Sequence, residues 1–180
     1  MGKVTQHPAI AGSPQIRAPC PISESHDCSQ FDCGKQELNE WLRNSALQSN
    51  GRTARTYVVC LGTRVIGYYC LAAGAVLRKE LPSAKMRQNT PQHVPVIVVG
   101  RLVVDREYQH QRIGSGMLKE AIFKSIEASR TIGVRVVLVH AIDDEAAIFY
   151  RGYDFVPSPI ADRTLMLPIE TAIRALMSKC

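Results

Sequence analysis

Apolar positions follow a helical period in four stretches of the chain. From residue 34 to 49, Leu38, Trp41 and Leu42 recur at three- and four-residue spacing, which predicts an amphipathic helix. We expect Asp32 to cap its start and Asn50-Gly51 to end it. The same period predicts three further helices, over residues 114–130, 143–150 and 169–178.

Shorter apolar runs, rich in β-branched residues, predict the strands. Arg55–Leu61 and Val65–Ala73 flank Gly62-Thr63-Arg64, which is the pattern of a β-hairpin with a tight turn. The Val-rich run Pro95–Asp105 is nearly uninterrupted, which predicts a strand covered on both faces, and Gly100 within it indicates a bulge. Three more short strands are predicted, over residues 134–139, 152–159 and 164–167.

The order of these elements predicts a single α/β domain. An early hairpin followed by alternating strands and helices indicates a mixed sheet flanked by helices. Residues 1–21 hold four prolines and few large apolar side chains, so we expect an extended or disordered tail before one domain over residues 22–180. Residues 77–94 combine basic side chains with prolines and predict a long loop, with at most one short helix.

The composition is that of a globular protein with a basic balance. Apolar residues make up 46% of the chain, which excludes a fully disordered protein, and no stretch is long and apolar enough to cross a membrane. Twenty-two Lys and Arg against 16 Asp and Glu leave a net charge of +6. This charge suits either a solvated basic surface or an anionic partner, such as a nucleic acid or a phosphorylated cofactor.

The six cysteines predict a reduced, cytoplasmic protein. They are scattered without a CxxC pair, and the first residues lack the apolar core of a secretion signal. His26, Cys28 and Cys33 lie close together in the sequence, but they match no common zinc spacing and lack a second pair of ligands. We therefore expect no metal site.

The candidate chemistry centres on Gln111-Arg112-Ile113-Gly114-Ser115-Gly116, which joins the Val-rich strand to the long helix. The first-turn amides of a helix have no partners within the helix, and their positive end favours a phosphate group. Gly114 and Gly116 lack the side chains that would hold a pyrophosphate away. The pattern is neither GxGxxG nor a P-loop, so packing or capping of the helix is an equal alternative on spacing alone.

These residues resemble the Gln/Arg-x-x-Gly-x-Gly/Ala motif of the GNAT family of N-acetyltransferases. The resemblance continues through the strand VRVVLV, Ala147-Ile148-Phe149-Tyr150 and Gly152-Tyr153-Asp154-Phe155. A narrower resemblance, over nearly all of residues 24–168, is to the acetyltransferase toxins of bacterial type II toxin–antitoxin modules. Its motifs are Phe31-Asp32-Cys33-Gly34, Leu38-Asn39-Glu40-Trp41-Leu42, Arg55-Thr56-Tyr57-Val58, Ile66-Gly67-Tyr68-Tyr69, Gly100-Arg101-Leu102-Val103-Val104-Asp105, His140-Ala141, and Ser158-Pro159 before Thr164-Leu165.

The resemblance implies the GNAT fold, in which the mixed, mostly antiparallel sheet has a splayed central strand pair. It also implies an acetyl-CoA-dependent enzyme that acetylates the α-amine of aminoacyl-tRNA and so inhibits translation. Such toxins usually form homodimers and are neutralised by a ribbon-helix-helix antitoxin, which are therefore the expected partners. The residues expected to bind the cofactor are Leu102, Val103, Val104, Gln109, Gln111, Arg112, Ile113, Gly114, Ser115, Gly116, Met117 and Phe149.

Tyr150 is the expected general acid. A phenol with a pKa of about 10 is protonated at neutral pH and can donate to the departing CoA thiolate, while an α-amine with a pKa of about 8 needs only weak help from a base. We expect His140 to be structural, His110 to be near the phosphate loop and Asp105 to cap the strand end. The candidate tRNA contacts are the basic side chains of Arg52, Arg55, Arg78, Lys79, Lys85 and Arg87.

Two alternatives stay open from the sequence. The chain could acetylate a small amine or a protein N-terminus, an activity that would change little with salt, whereas a tRNA-directed activity would fall steeply. It could also be a non-catalytic CoA-binding or protein-interaction module, which would bind CoA without releasing free thiol.

Overall fold

A seven-stranded sheet forms the centre of the fold, and the computed structural model describes residues 15–178. The strand order is β1-β2-β3-β4-β5-β7-β6, with β4 and β5 parallel and all other neighbours antiparallel. The predicted mixed α/β fold is thus confirmed. The strands are β1 (Cys20–Pro21), β2 (Arg55–Leu61), β3 (Arg64–Leu77), β4 (His93–Val104), β5 (Val136–His140), β6 (Val156–Ser158) and β7 (Ala161–Pro168).

Helices cover both faces of the sheet. In the described part they are α1 (Gln36–Asn44), α2 (Ala46–Ser49), α3 (Ala84–Arg87), α4 (Ile113–Ser129), α5 (Asp144–Arg151) and α6 (Ile169–Met177). On one face, Leu118 and Ala121 of α4 and Ala147 of α5 pack against β4 and β5, and on the other, Leu42 of α1 packs against Tyr68. None of the helices between residues 15 and 178 has both the length and the apolar character needed to cross a bilayer.

The predicted hairpin is confirmed, and its second strand is longer than expected. Leu61 lies opposite Arg64 across a turn in which Gly62 has a φ of +64°, a conformation that glycine adopts without strain. Strand β3 continues to Leu77 instead of Ala73 because its far half pairs with β4. The following connection holds a short 3₁₀ turn at Arg78–Glu80 and the single-turn helix α3.

The prediction of a single helix over residues 34–49 is wrong, because the helical conformation is interrupted at Ser45. Ser45 has a φ of −125°, which ends α1, and α2 starts at the next residue. Asp32 also does not cap α1, whose cap position is Lys35. Instead, one oxygen of Asp32 accepts from the Gly34 amide (2.9 Å) and from the Asn39 side chain (2.8 Å), which shapes the turn before the helix.

The sheet begins before the predicted domain boundary at residue 22. Cys20 and Pro21 pair with Val58 and Tyr57 of β2, so these two residues belong to the domain and not to a tail. Ile16 also forms a bridge with Leu61. The remainder of the predicted tail falls largely on residues 1–14, which lie outside the described residues.

The two central strands diverge after a bulge in β4. Val96–Val99 of β4 pairs with Val136–Val139 of β5. Beyond Val99, β4 does not pair with β5 in the described part of the chain. At the same point Arg101 has a φ of +53° and the register with β3 shifts, which confirms the bulge expected at Gly100. The splayed strand pair is therefore present, and it opens a cleft in the sheet.

Candidate active site

A cavity of about 580 Å³ lies where β4 and β5 diverge. Its walls are the end of β4, the loop into α4, the start and inner face of α5, and the segment that leads into α1. The lining residues are Cys33, Lys35, Leu38, Leu102, Val103, Val104, Tyr108, Gln109, His110, Arg112, Ile113, Gly114, Ser115, Ile142, Asp143, Glu145, Ala146, Phe149 and Tyr150. The cavity is thus bounded by segments that lie far apart in the sequence.

The first turn of α4 presents free backbone donors to this cavity. Arg112 precedes the helix in a left-handed conformation, with a φ of +62°, and no side chain caps the helix. The Gly116 amide donates to the Arg112 carbonyl (3.0 Å), whereas the amides of Ile113, Gly114 and Ser115 have no hydrogen-bond partner among the described residues. Three donors at the positive end of a 17-residue helix are a physical basis for binding an anion.

Gly114 keeps the gap between α4 and β4 free of side chains. A Cβ atom built at this position would lie 3.7 Å from Cγ2 of Val104, so it would face the end of the strand. Gln109 reaches the same strand end, where its side-chain amide donates to the Val104 carbonyl (3.0 Å). The loop, the helix start and the strand end therefore form one continuous wall.

Nine of the residues expected to bind a cofactor line the cavity, and three lie outside it. The nine are Leu102, Val103, Val104, Gln109, Arg112, Ile113, Gly114, Ser115 and Phe149. Outside the lining, Gln111 is exposed on the surface, and the Gly116 amide is already bonded within the helix start. Met117 is buried, and its methyl group would lie 3.2 Å from a Cβ atom at Gly67.

Tyr150 lies at the inner end of the cavity on α5. Its side chain is 6% exposed, and its ring packs against Phe149 (5.3 Å between centroids) and Phe155 (5.7 Å). Burial raises the pKa of Tyr150 to about 12, so the phenol holds its proton at neutral pH. The hydroxyl makes no hydrogen bond within the described chain, which leaves it available to a group in the cavity.

The other titratable candidates occupy different positions. His140 is exposed and outside the lining, with Nδ1 3.1 Å from the Thr164 hydroxyl, whereas His110 is part of the lining. Asp105 caps the end of β4, as expected, by accepting from the Glu107 amide (3.0 Å). Between residues 15 and 178, no three His, Cys, Asp or Glu side chains are grouped as a metal site would require.

The segment before α1 forms a wall that the sequence did not reveal. Cys33 and Lys35 of this segment, together with Leu38 of α1, also line the cavity. Lys35, at the cap of α1, pairs with Asp143, at the cap of α5, with 3.6 Å between Nζ and the carboxylate. The Ala146 amide and then Lys35 hold the pKa of the Asp143 carboxyl below its usual range. Only the capping role of Asp143 has a local sequence signal.

The six predicted basic contacts do not line the cavity, and another arginine, Arg101, stacks on a tryptophan. Among the described residues that line the cavity, none belongs to the predicted set Arg52, Arg55, Arg78, Lys79, Lys85 and Arg87. Arg87 donates to the Leu81 carbonyl (2.8 Å) and so helps to hold its own loop. Arg101, next to the lining residue Leu102, lies over the ring of Trp41 at 4.2 Å and pairs with no carboxylate in the described part of the chain.

A known domain family and a known protein resemble this chain in sequence. Residues 52–157, which include β4, α4 and all of α5, match the acetyltransferase (GNAT) domain family. The tRNA-acetylating toxin of Mycobacterium tuberculosis (strain ATCC 25618 / H37Rv) is 41% identical over 161 residues, which are 89% of this chain and 96% of that protein.

Two solved structures share the fold. AtaT complexed with acetyl-methionyl-tRNAfMet has a TM-score of 0.83 and 26% identity, covering 89% of this chain and 98% of that one. AtaTR bound with AcCoA has a TM-score of 0.76 and 26% identity, covering 91% and 98%. The similarity therefore extends over most of the described domain.

Proposed function

Because the chain belongs to the acetyltransferase (GNAT) family, we propose that it transfers the acetyl group of acetyl-CoA to the α-amino group of aminoacyl-tRNA. The observation that carries the proposal is the cavity between the splayed strands, with free helix amides at one end and the Tyr150 phenol at the other. The acceptor is supported by the relative that is a tRNA-acetylating toxin and by the AtaT complex with acetyl-methionyl-tRNAfMet.

The residues of the cavity fit the parts of acetyl-CoA. The amides of Ile113, Gly114 and Ser115 would bind its pyrophosphate, with Arg112 as an additional donor. Strand β4 is unpaired on the side of β5 beyond Val99, so backbone groups of Leu102–Val104 can bind the amides of the pantetheine arm as an added strand would. Phe149 would pack against the same arm.

The reaction needs a neutral amine, an oriented thioester and a proton for the departing sulfur. Acetyl-CoA supplies the activated acyl group. The strand and helix amides hold it in one orientation, and this positioning contributes several kcal/mol to the rate. Tyr150 would donate a proton to the departing sulfur, and because burial raises its pKa to about 12 it keeps that proton until negative charge develops beside it. The proton that the amine loses as the amide forms would pass to water, from which the Tyr150 phenolate regains one. An α-amine with a pKa of about 8 is partly neutral at physiological pH, so no strong base is required.

The charge of the protein supports an RNA acceptor. With a net charge of +6, the chain attracts a polyanion at long range. Arg101 is next in the sequence to the lining residue Leu102, and its stacking on Trp41 orders the guanidinium before a phosphate binds. The six predicted basic residues would contact phosphates further from the reacting amine, where they add affinity but no sequence preference.

The biological setting belongs to the same proposal. Acetylation of the α-amine removes the nucleophile of peptide-bond formation, so the unrestrained enzyme would block translation and act as a toxin. We infer that a ribbon-helix-helix antitoxin neutralises it, that it works as a homodimer in the cytoplasm, and that residues 22–180 act as one acetyltransferase domain. The support is the 41% identity to a toxin of this activity.

The test combines purified protein, acetyl-CoA and different acceptors, with release of CoA thiol as the readout. Charged tRNA should give rapid thiol release, and uncharged tRNA, free amino acids and a peptide with a free N-terminus should not. Equal rates with the peptide or with small amines would favour the alternative N-acetyltransferase. Binding of CoA without thiol release from any acceptor would contradict an enzymatic function.

A further inference from the structure

One buried carboxylate joins two segments of the chain that lead to the lining of the cavity. Asp105 is 1% exposed and does not itself line the cavity. Its Oδ1 accepts from the Glu107 amide (3.0 Å), and its Oδ2 accepts from the Asp32 amide (3.1 Å). Each oxygen therefore holds a different segment of the chain.

The two segments lead to different parts of the site. Glu107 lies in the 3₁₀ turn Arg106–Tyr108, which continues into the loop that ends at the first turn of α4. Asp32 is followed by Cys33, Lys35 and Leu38, which form another part of the lining. The Asp105 carboxylate thus joins these two segments, beside the backbone hydrogen bond from the Arg106 amide to the Asp32 carbonyl (2.9 Å) and the exposed Arg106–Asp32 ion pair.

Arg64 compensates the charge of Asp105 and reinforces this connection. One of its terminal nitrogens is 3.4 Å from Asp105 and 2.6 Å from the Glu107 carboxylate, and its guanidinium lies 5.4 Å from the ring centroid of Tyr108, a lining residue. The Nε atom of Arg64 is buried without a hydrogen-bond partner in the described chain. Asp105 is buried and Arg64 is partly exposed, and an ion pair with one buried carboxylate and an unsatisfied donor is weak support for stability, which suggests that its value lies in fixing geometry.

Resting on the proposed acetyl transfer, we propose that Asp105 is a positioning residue: its two oxygens help to set the distance between the cofactor-side wall and the part of the lining formed by Cys33, Lys35 and Leu38. Transfer between two bound substrates is sensitive to this distance, because a misplacement of about 1 Å can cost about a hundredfold in rate. Asp105 acts through the two walls and touches neither substrate.

The test is Asp105→Asn, which preserves the size of the side chain. The asparagine side chain has one acceptor oxygen and one donor nitrogen, so it can accept from only one of the Asp32 and Glu107 backbone amides. The other amide then faces a donor, and its segment is no longer held. We expect kcat for transfer to charged tRNA to fall about a hundredfold, with KM for both substrates within about threefold of wild type. Hydrolysis of acetyl-CoA by water, which needs only the cofactor-side wall, should stay within the same threefold range.

The matched control is Arg106→Ala. Arg106 and Asp32 form an exposed ion pair between the same two segments, and exposed pairs contribute little. We expect transfer by this variant within about twofold of wild type. An equal loss of transfer in Asp105→Asn and Arg106→Ala would overturn the proposal. Weakening any contact between the two segments would then be enough to cause the loss.

Other outcomes also decide the matter. Transfer by Asp105→Asn at the wild-type rate overturns the proposal, and so does a parallel loss of transfer, hydrolysis and acetyl-CoA affinity, which indicates a purely structural role. If Asp105→Asn does not fold, Arg64→Lys replaces it, because lysine keeps the charge but cannot contact Asp105, Glu107 and Tyr108 together. A folded Arg64→Lys variant with unchanged transfer overturns the proposal, and a selective loss of kcat supports it. Failure of the wild type to acetylate charged tRNA contradicts the proposed function instead.

Discussion

Tyr150 has the two properties required of a general acid in this cavity: a proton retained at neutral pH and a hydroxyl without an internal partner. Both follow from its burial on α5 between Phe149 and Phe155. The same burial makes the ring a part of the core, so the role of the hydroxyl has to be separated from the role of the ring.

Tyr150→Phe makes that separation. Phenylalanine keeps the aromatic packing and removes only the donor, so acetyl-CoA affinity should stay within about twofold of wild type. We expect kcat for transfer to fall by about 10² to 10⁴, the usual contribution of a positioned acid. Calorimetry gives the affinity and thiol release gives kcat. Transfer at the wild-type rate would exclude Tyr150 as the acid.

Three buried tyrosines predict a loss of stability at alkaline pH. Burial raises the pKa of Tyr68, Tyr69 and Tyr150 above the usual value of 10. Because their folded-state pKa values are raised, their stabilisation is complete below the unfolded value and decreases above it. The free energy of unfolding should therefore fall by about 1.4 kcal/mol per pH unit for each phenol once the pH exceeds about 10.

Denaturant unfolding between pH 8 and pH 11 measures this effect. The Tyr150→Phe variant is the matched control. Above pH 10, its free energy of unfolding should fall less steeply with pH, by about 1.4 kcal/mol per pH unit, because it has one buried phenol fewer. A free energy of unfolding that does not change up to pH 11 would show that these tyrosines titrate normally in the folded state.

Whether the role of a single residue could be predicted depended on whether its contacts are local or distant in the sequence. Tyr150 and Asp105 lie in local motifs, at a helix and at a strand end. The cap at Asp105 is confirmed, and the acid role of Tyr150 stays a prediction. Cys33 reaches the cavity, and Arg101 reaches Trp41, only because distant segments come together, and no local pattern marks either contact. Arg101 in particular interrupts an apolar run, and only the bulge explains where its side chain goes.

At the scale of elements, the site depends on the junction of β4 and α4. At this junction, one short loop places the unpaired backbone groups of β4 close to the unpaired amides of α4. Gly114 keeps the space between them open. A single added methyl group at this position tests the importance of that space.

Gly114→Ala should fold normally and bind acetyl-CoA poorly. The new Cβ would contact Val104 at an ordinary distance of 3.7 Å, and alanine favours helix, so the free energy of unfolding should be unchanged or higher by up to about 1 kcal/mol. We expect the Kd for acetyl-CoA to rise at least about tenfold, because the methyl group projects into the gap. Isothermal titration calorimetry measures this change.

Gly133→Ala, just beyond the other end of α4, is the control for Gly114→Ala. A Cβ at Gly133 meets no atom within 4 Å, so acetyl-CoA affinity should not change. Equal affinities in Gly114→Ala and wild type would show that the cofactor does not approach the start of the helix.

The elements themselves were largely predictable where their apolar pattern is complete. The hairpin, the Val-rich strand and helix α4 were anticipated from local periodicity. The extension of β3 through Gly74 and Ala75 was not, because these small residues carry no strand pattern and are held by pairing with Val96 and Pro95 of β4. The break at Ser45 likewise has no marker in the sequence, since apolar spacing continues across it.

At the scale of the whole molecule, three helices begin at the same cavity. The cap residues of α1, α4 and α5, which are Lys35, Arg112 and Asp143, all belong to its lining. Helix N-termini carry partial positive charge, and the chain adds a net charge of +6. The fold as a whole thus suits two anionic substrates, one small and one large.

This arrangement predicts different salt dependences for the two substrates. Between about 50 and 200 mM salt, KM for charged tRNA should rise at least about tenfold, as expected for three or more phosphate contacts. Affinity for acetyl-CoA, held in a partly enclosed cavity, should change much less. Initial rates over a salt series measure both, and a tRNA KM that changes less than about twofold would contradict an extended contact with the RNA backbone.

The most direct test of the account is mass spectrometry of charged tRNA after incubation with the protein and acetyl-CoA. Nuclease digestion releases the terminal adenosine with its amino acid, and the account predicts that this fragment gains one acetyl group on the α-amine. The gain should require acetyl-CoA and should be strongly reduced with Tyr150→Phe. An unmodified aminoacyl-adenosine, or an acetyl group found at any other position of the tRNA, would contradict it.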